Sequence, residues 1–81
     1  MSGVTITLVN PDRGLLARSP DDWRPSPGGG GRFVLSVPAA ARSTVHLACQ
    51  ILVDAMDADL AWADWSDGQS VWVPNPDREV S

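Results

Sequence analysis

The chain has no lysine, a single cysteine, a single histidine, and no apolar run close to the length of a membrane span. Each shortage excludes something. One cysteine, Cys49, can form neither an intramolecular disulfide nor a cysteine-rich zinc site, so stability must come from packing. A spanning helix needs ~18 or more consecutive apolar residues, and no such run and no charged-then-apolar leader is found. This predicts a soluble, unexported chain in the cytoplasm. Without lysine all side-chain positive charge is arginine, and it is unevenly placed: residues 1–42 carry five Arg against three Asp, residues 43–81 one Arg against six Asp and one Glu. A chain of net charge −4 with no basic stripe is repelled by phosphate backbones, so direct nucleic-acid binding is not expected.

What is present argues for one small folded domain over residues 1–81. The 43% hydrophobic content is too high for a disordered chain, while 7 Gly and 7 Pro leave much of it irregular. A single core at this size supplies only ~3–5 kcal/mol, so a second buried surface would help. "VTITLVN" (Val4 to Asn10) and "RFVLSVP" (Arg32 to Pro38) alternate like half-buried strands. Between them, residues 11–31 hold three further prolines after Pro11 and a run of four glycines, which predicts a long loop; "SPDDW" within it is suited to one helical turn capped by Ser19. The glycines lead into a strand and no Lys-Ser/Thr follows, so they do not read as a phosphate loop.

Ser43 to Asp57 fits a strand or a helix by period, and its length predicts a helix. The helix would bury Val45, Ala48, Cys49, Leu52, Ala55 and Met56 and expose His46, Gln50, Asp54 and Asp57, with Leu47, Ile51 and Val53 as surplus apolar flanks. The expected fold is therefore α+β: a single-layer antiparallel four-stranded sheet packed on one helix, in the order ββαββ.

Three of the four tryptophans fall between Trp62 and Trp72, around Asp67-Gly68. Taken as a two-residue turn, Asp67-Gly68 pairs Ala63 with Trp72 and Trp62 with Val73, placing Trp65 and Trp72 on one face and Leu60, Trp62, Val71 and Val73 on the other. A three-residue turn swaps Trp62 with Trp65 and leaves Trp72 opposite in direction to Val71 and Val73. With one helix covering the valine face, the Trp72 face is either an exposed anchor surface or is closed over by the long loop through Trp23.

No catalytic or metal motif emerges. His46 falls on the polar stripe and Cys49 on the apolar face, no G-x-S-x-G frames a nucleophile, and the aspartates fail the calcium-loop pattern, so neither an enzyme, a metal site nor a cofactor is expected. Asp54, Asp57, Asp59, Asp64 and Asp67 instead form one negative patch suited to an arginine-rich partner.

The layout of strand, loop, strand, helix and tight C-terminal hairpin, in an acidic lysine-free chain, resembles small proteins of phages and mobile elements, and among them the anti-CRISPR inhibitors of type I systems. "GGRFVLSVP" is also similar to the second strand of HicB-type antitoxins, but "AAARSTVHL" replaces the segment that should follow. The first resemblance implies a non-enzymatic inhibitor that meets a CRISPR surveillance complex or its nuclease by protein contact or nucleic-acid charge mimicry. Trp65 and Trp72 are then the apolar anchors and the five aspartates the docking charges. The alternative is a homodimeric or larger structural assembly formed through exposed strand edges and the helix flank.

Overall fold

The computed structural model describes residues 3–18, 23–38 and 41–78. Its elements are β1 (Gly3–Val9), α1 (Arg13–Ala17), β2 (Arg24–Pro25), β3 (Arg32–Pro38), α2 (Arg42–Ala55), β4 (Leu60–Trp65), β5 (Ser70–Pro74) and a 3-10 turn, Pro76–Arg78. The strands form one antiparallel sheet in the order β2-β3-β1-β4-β5. The α+β class is as expected, with five strands and two helices in place of four and one. Both additions lie within residues 11–31, the expected loop, and are too short to carry a hydrophobic period. The turn expected at Ser19 to Asp22 lies outside the described residues. No described helix is long and apolar enough to cross a membrane.

The alternation of β1 decides the two faces of the sheet. Val4, Ile6 and Leu8 stand opposite Val37, Leu35 and Phe33 on β3, and Ile6 and Leu8 opposite Ala63 and Ala61 on β4. This face carries the core. α2 lies over β4 and β5 and buries Val45, Cys49, Val53 and Met56 against it. Ala61 and Ala63 are fully buried, and their small side chains let the helix approach β4 closely. Val53, expected on the flank, is inside and Ala55 is exposed, because the helix is rolled toward β5, where Val53 and Val73 line one cleft. α1 is tied in from the other end: the Asp12 carboxylate accepts from the Leu15 N–H at 3.1 Å, and the Asp12 N–H donates to the Met56 carbonyl at 2.8 Å.

The end of α2 places an aspartate in a left-handed backbone position. The Ala58 N–H donates to the Val53 carbonyl at 3.1 Å and the Asp57 N–H to that of Asp54 at 3.3 Å, with Asp57 at φ +50°, the paired bonds of a Schellman cap. Aspartate is among the few non-glycine residues that tolerate this left-handed position.

A second left-handed pair locks β1 to β3. Asn10 (φ +51°) donates its N–H to the Gly31 carbonyl at 2.8 Å and its side-chain amide to the Asp59 carboxylate at 2.9 Å. Gly31 has φ +73°, and a Cβ there would collide with Asn10 Oδ1, whereas one at Gly29 (φ +67°) meets nothing. Gly31→Ala is expected to cost about 2 kcal/mol, roughly 10 °C in Tm, and Gly29→Ala about half that, since only the first adds a collision to the backbone strain. Equal losses in thermal unfolding would show that the Asn10 contact does not constrain the site.

Candidate binding surface

The sheet's other face carries Thr5, Thr7, Val9, Arg32, Val34, Leu60, Trp62, Asp64, Trp72 and Pro74, by the same registers. Neither α2 nor the core cluster covers it. Trp62 and Trp72 are directly opposed on β4 and β5, and their rings stack with centroids 4.6 Å apart and planes 24° from parallel. The backbone accounts for the closeness. Ladder bonds from Trp65 N–H to Gln69 O and from Asn75 N–H to Asp59 O fix the hydrogen-bonded pairs, which alternate, so Trp62 and Trp72 form a non-hydrogen-bonded pair, where side chains stand nearest.

The row extends inward. Arg32 sits over Trp62 with its guanidinium carbon 5.4 Å from the ring centroid, and the Trp62 indole N–H donates to Asp64 Oδ2 at 2.8 Å. Beneath Trp62, its register partner Thr7 is buried. Trp62 is thus held on both sides and half-buried, while Trp72, at the outer end of the row, is 57% exposed. Val9, Val34, Leu60 and Pro74 continue an apolar band around the pair, with Arg24, Arg32, Asp64 and Ser70 at its margin.

This arrangement corrects the two-residue hairpin. Ser66, Asp67 and Gly68 form a three-residue turn: the Gly68 N–H donates to the Trp65 carbonyl at 3.0 Å, Gly68 is at φ +94°, and Asp67 Oδ1 accepts from the Gln69 N–H at 3.0 Å. Trp65 therefore lies on the helix side, half-buried against the core with Arg42 5.8 Å above its ring, and Trp62 takes the outward place assigned to it. The packing of alanines under the helix favours this register. Slipping by one residue would place Trp62 beneath α2 and turn Ala61 and Ala63 outward. Trp23 packs against the core cluster, on the helix side, and does not close over Trp72.

Nor do the five aspartates make one patch. Asp54, Asp57 and Asp59 lie between the last turn of α2 and the start of β4, Asp64 is held by Trp62 on the outer face, and Asp67 is in the hairpin turn. The six residues of β4 separate the two ends by about 20 Å. The arginines are likewise dispersed: Arg13, Arg32 and Arg42 lie over Phe33, Trp62 and Trp65 respectively, on different parts of the surface. Leu47 and Ile51 are 56% and 58% exposed on the outside of α2.

His46 is exposed and Cys49 fully buried, so the two do not meet in a common site. Among the described residues no three His, Cys, Asp or Glu side chains come together in a way that would hold a metal ion. Burial pushes the Cys49 thiol above its ordinary pKa, because the thiolate would be desolvated. Folding therefore favours the neutral thiol, and its small contribution to stability is lost as pH rises through the raised value. Cys49 is expected to resist a disulfide reagent at pH 8 in the native state and to react fully once unfolded; rapid native labelling would show that the core opens.

Two residues of the site were not legible as such. In the sequence Arg32 carries only the mark of a strand start, and a two-residue turn directs Trp62 to the core. The Gly68 that follows Ser66-Asp67 was the available signal, since a type I turn closed by a left-handed glycine gives a three-residue hairpin. The chain matches no family model, and neither the curated proteins nor the solved structures contain a significant match to it.

Proposed function

We propose that this is a non-enzymatic protein-binding module that docks its partner on the open face of the sheet, with the Trp62–Trp72 stack as the anchor. The observation that carries this reading is an exposed Trp72 stacked on a half-buried Trp62, whose ring Arg32 covers in turn. Tryptophan and arginine are the residues that concentrate binding energy in protein interfaces, and here the stacked pair lies within an apolar band whose margin carries Arg32 and other polar residues. Bracing matters because an anchor held in place loses little freedom on binding. The net charge of −4 and the dispersed arginines favour a protein partner over a nucleic acid.

An inhibitor of a phage-borne type, acting on a surveillance complex or nuclease in a bacterial cytoplasm, is the specific form of this reading that the layout resemblance implies. Its docking charges would act at three separate places, with Asp64 beside the anchor, Asp67 in the hairpin turn, and Asp54, Asp57 and Asp59 at the end of α2. The test is capture from bacterial lysate by the tagged protein and by Trp72→Ala. Retention of a defined protein by the wild type, lost in the variant, supports the reading; equal retention, or retention of nucleic acid alone, overturns it.

A further inference from the structure

The outer edge of β5 is complementary to itself, and we propose that a second copy of the chain pairs with it antiparallel, about a two-fold axis at Trp72. The ladder to β4 uses the backbone groups of Gln69, Val71, Val73 and Asn75, so those of Ser70 and Trp72 point outward from the sheet. The Ser70 carbonyl confirms the direction, because it accepts from Arg42 Nη2 at 3.4 Å, outside the ladder.

The two-fold places Trp72 opposite its own copy, where the two residues exchange N–H to carbonyl bonds, and Ser70 opposite Pro74 of the second copy. Pro74 has no N–H to offer, and the Ser70 carbonyl facing it is already occupied by Arg42; the Ser70 N–H meets the free Pro74 carbonyl. Every edge group that lacks a bond thus finds one. The opposite edge of the sheet is unsuited to the same use, since β2 is two residues long and ends in Pro25.

Charge agrees with this pairing. Arg42 stands at the Ser70 end of β5, and Asp77 three residues past Pro74, so the two-fold brings each Arg42 toward Asp77 of the second copy. α2 lies over β4 and β5, which sets the two helices about 10 Å apart, an ordinary helix-packing distance. On the outer face the two Trp62–Trp72 stacks join into one row of four indoles, so the docking surface proposed above is completed by the second copy. The row rests on that functional reading; the pairing does not.

Sedimentation of the purified protein without any partner tests it. A mass twice that of the chain is expected at roughly 100 μM, and a monomer at that concentration overturns the proposal. Ser70→Pro, which removes an outward N–H and leaves the β4 ladder intact, should weaken self-association at least about tenfold with thermal unfolding little changed. Arg42→Glu should also weaken it, and Arg42→Glu with Asp77→Arg should restore it; a double variant no better than the single overturns the pairing even if Ser70→Pro misfolds. Sedimentation is carried out without partner, so a failure of the pairing and a failure of partner capture by the wild type are read separately.

Discussion

Asn75→Ala is expected to cost about 2–3 kcal/mol, a large share of the ~3–5 kcal/mol available to a single core of this size. Asn75 is 4% exposed just past β5, yet it is polar and makes three bonds. Its side-chain amide donates to the Ala58 carbonyl at 2.7 Å, its Oδ1 accepts from the Asp77 N–H at 2.9 Å, and its own N–H donates to the Asp59 carbonyl at 3.0 Å. Alanine keeps only the last. Ala58 is itself fully buried, so its carbonyl would lose a partner where water has poor access, and an unmade buried bond costs more than a made one contributes. The Tm should fall by roughly 10–20 °C in a circular-dichroism melt. Asn75→Asp should be no better, because it turns a carboxylate oxygen toward the same carbonyl. A drop below about 4 °C for both variants would mean that the strand exit and the helix exit are not joined through this side chain.

The second large effect falls on binding rather than folding. Trp72→Ala removes the exposed end of the stack and should weaken partner binding by about 30-fold or more, roughly 2 kcal/mol, while lowering stability by less than about 1 kcal/mol. Trp62→Ala should do both kinds of damage, since Trp62 covers the buried Thr7, holds Asp64 and braces Trp72. The contrast between the two is the informative quantity. A Trp72→Ala protein that melts as early as Trp62→Ala would place Trp72 in the fold's own packing; a Trp62→Ala protein with normal binding would show that the brace does not prepare the anchor.

Much of the local structure was legible in the sequence because it depends on near neighbours. The alternation in "RFVLSVP" gave the bounds of β3, Arg32–Pro38, since two faces and a terminal proline leave little freedom. The helical period with buried Val45, Cys49 and Met56 was equally visible, as was the opposition of Trp72 to Val71 and Val73, which any register preserves. α1 and β2 were invisible because they are too short for a period and are held by distant bonds, such as Asp12 N–H to Met56 O.

Tertiary structure alone decided the rest. Turn length allowed two registers that differ by one residue, and in a strand that step exchanges every inward side chain for an outward one. The helix over β4 selected the register with Ala61 and Ala63 beneath it, and this put Trp62 beside Trp72 and Trp65 against the core. The spread of the aspartates was settled in the same way, because β4 runs straight between residues that lie close together in sequence. The chain by itself determined which residues are apolar, where turns form and what period each segment follows. Which tryptophans face outward depended on how closely a helix distant in sequence could approach the strand.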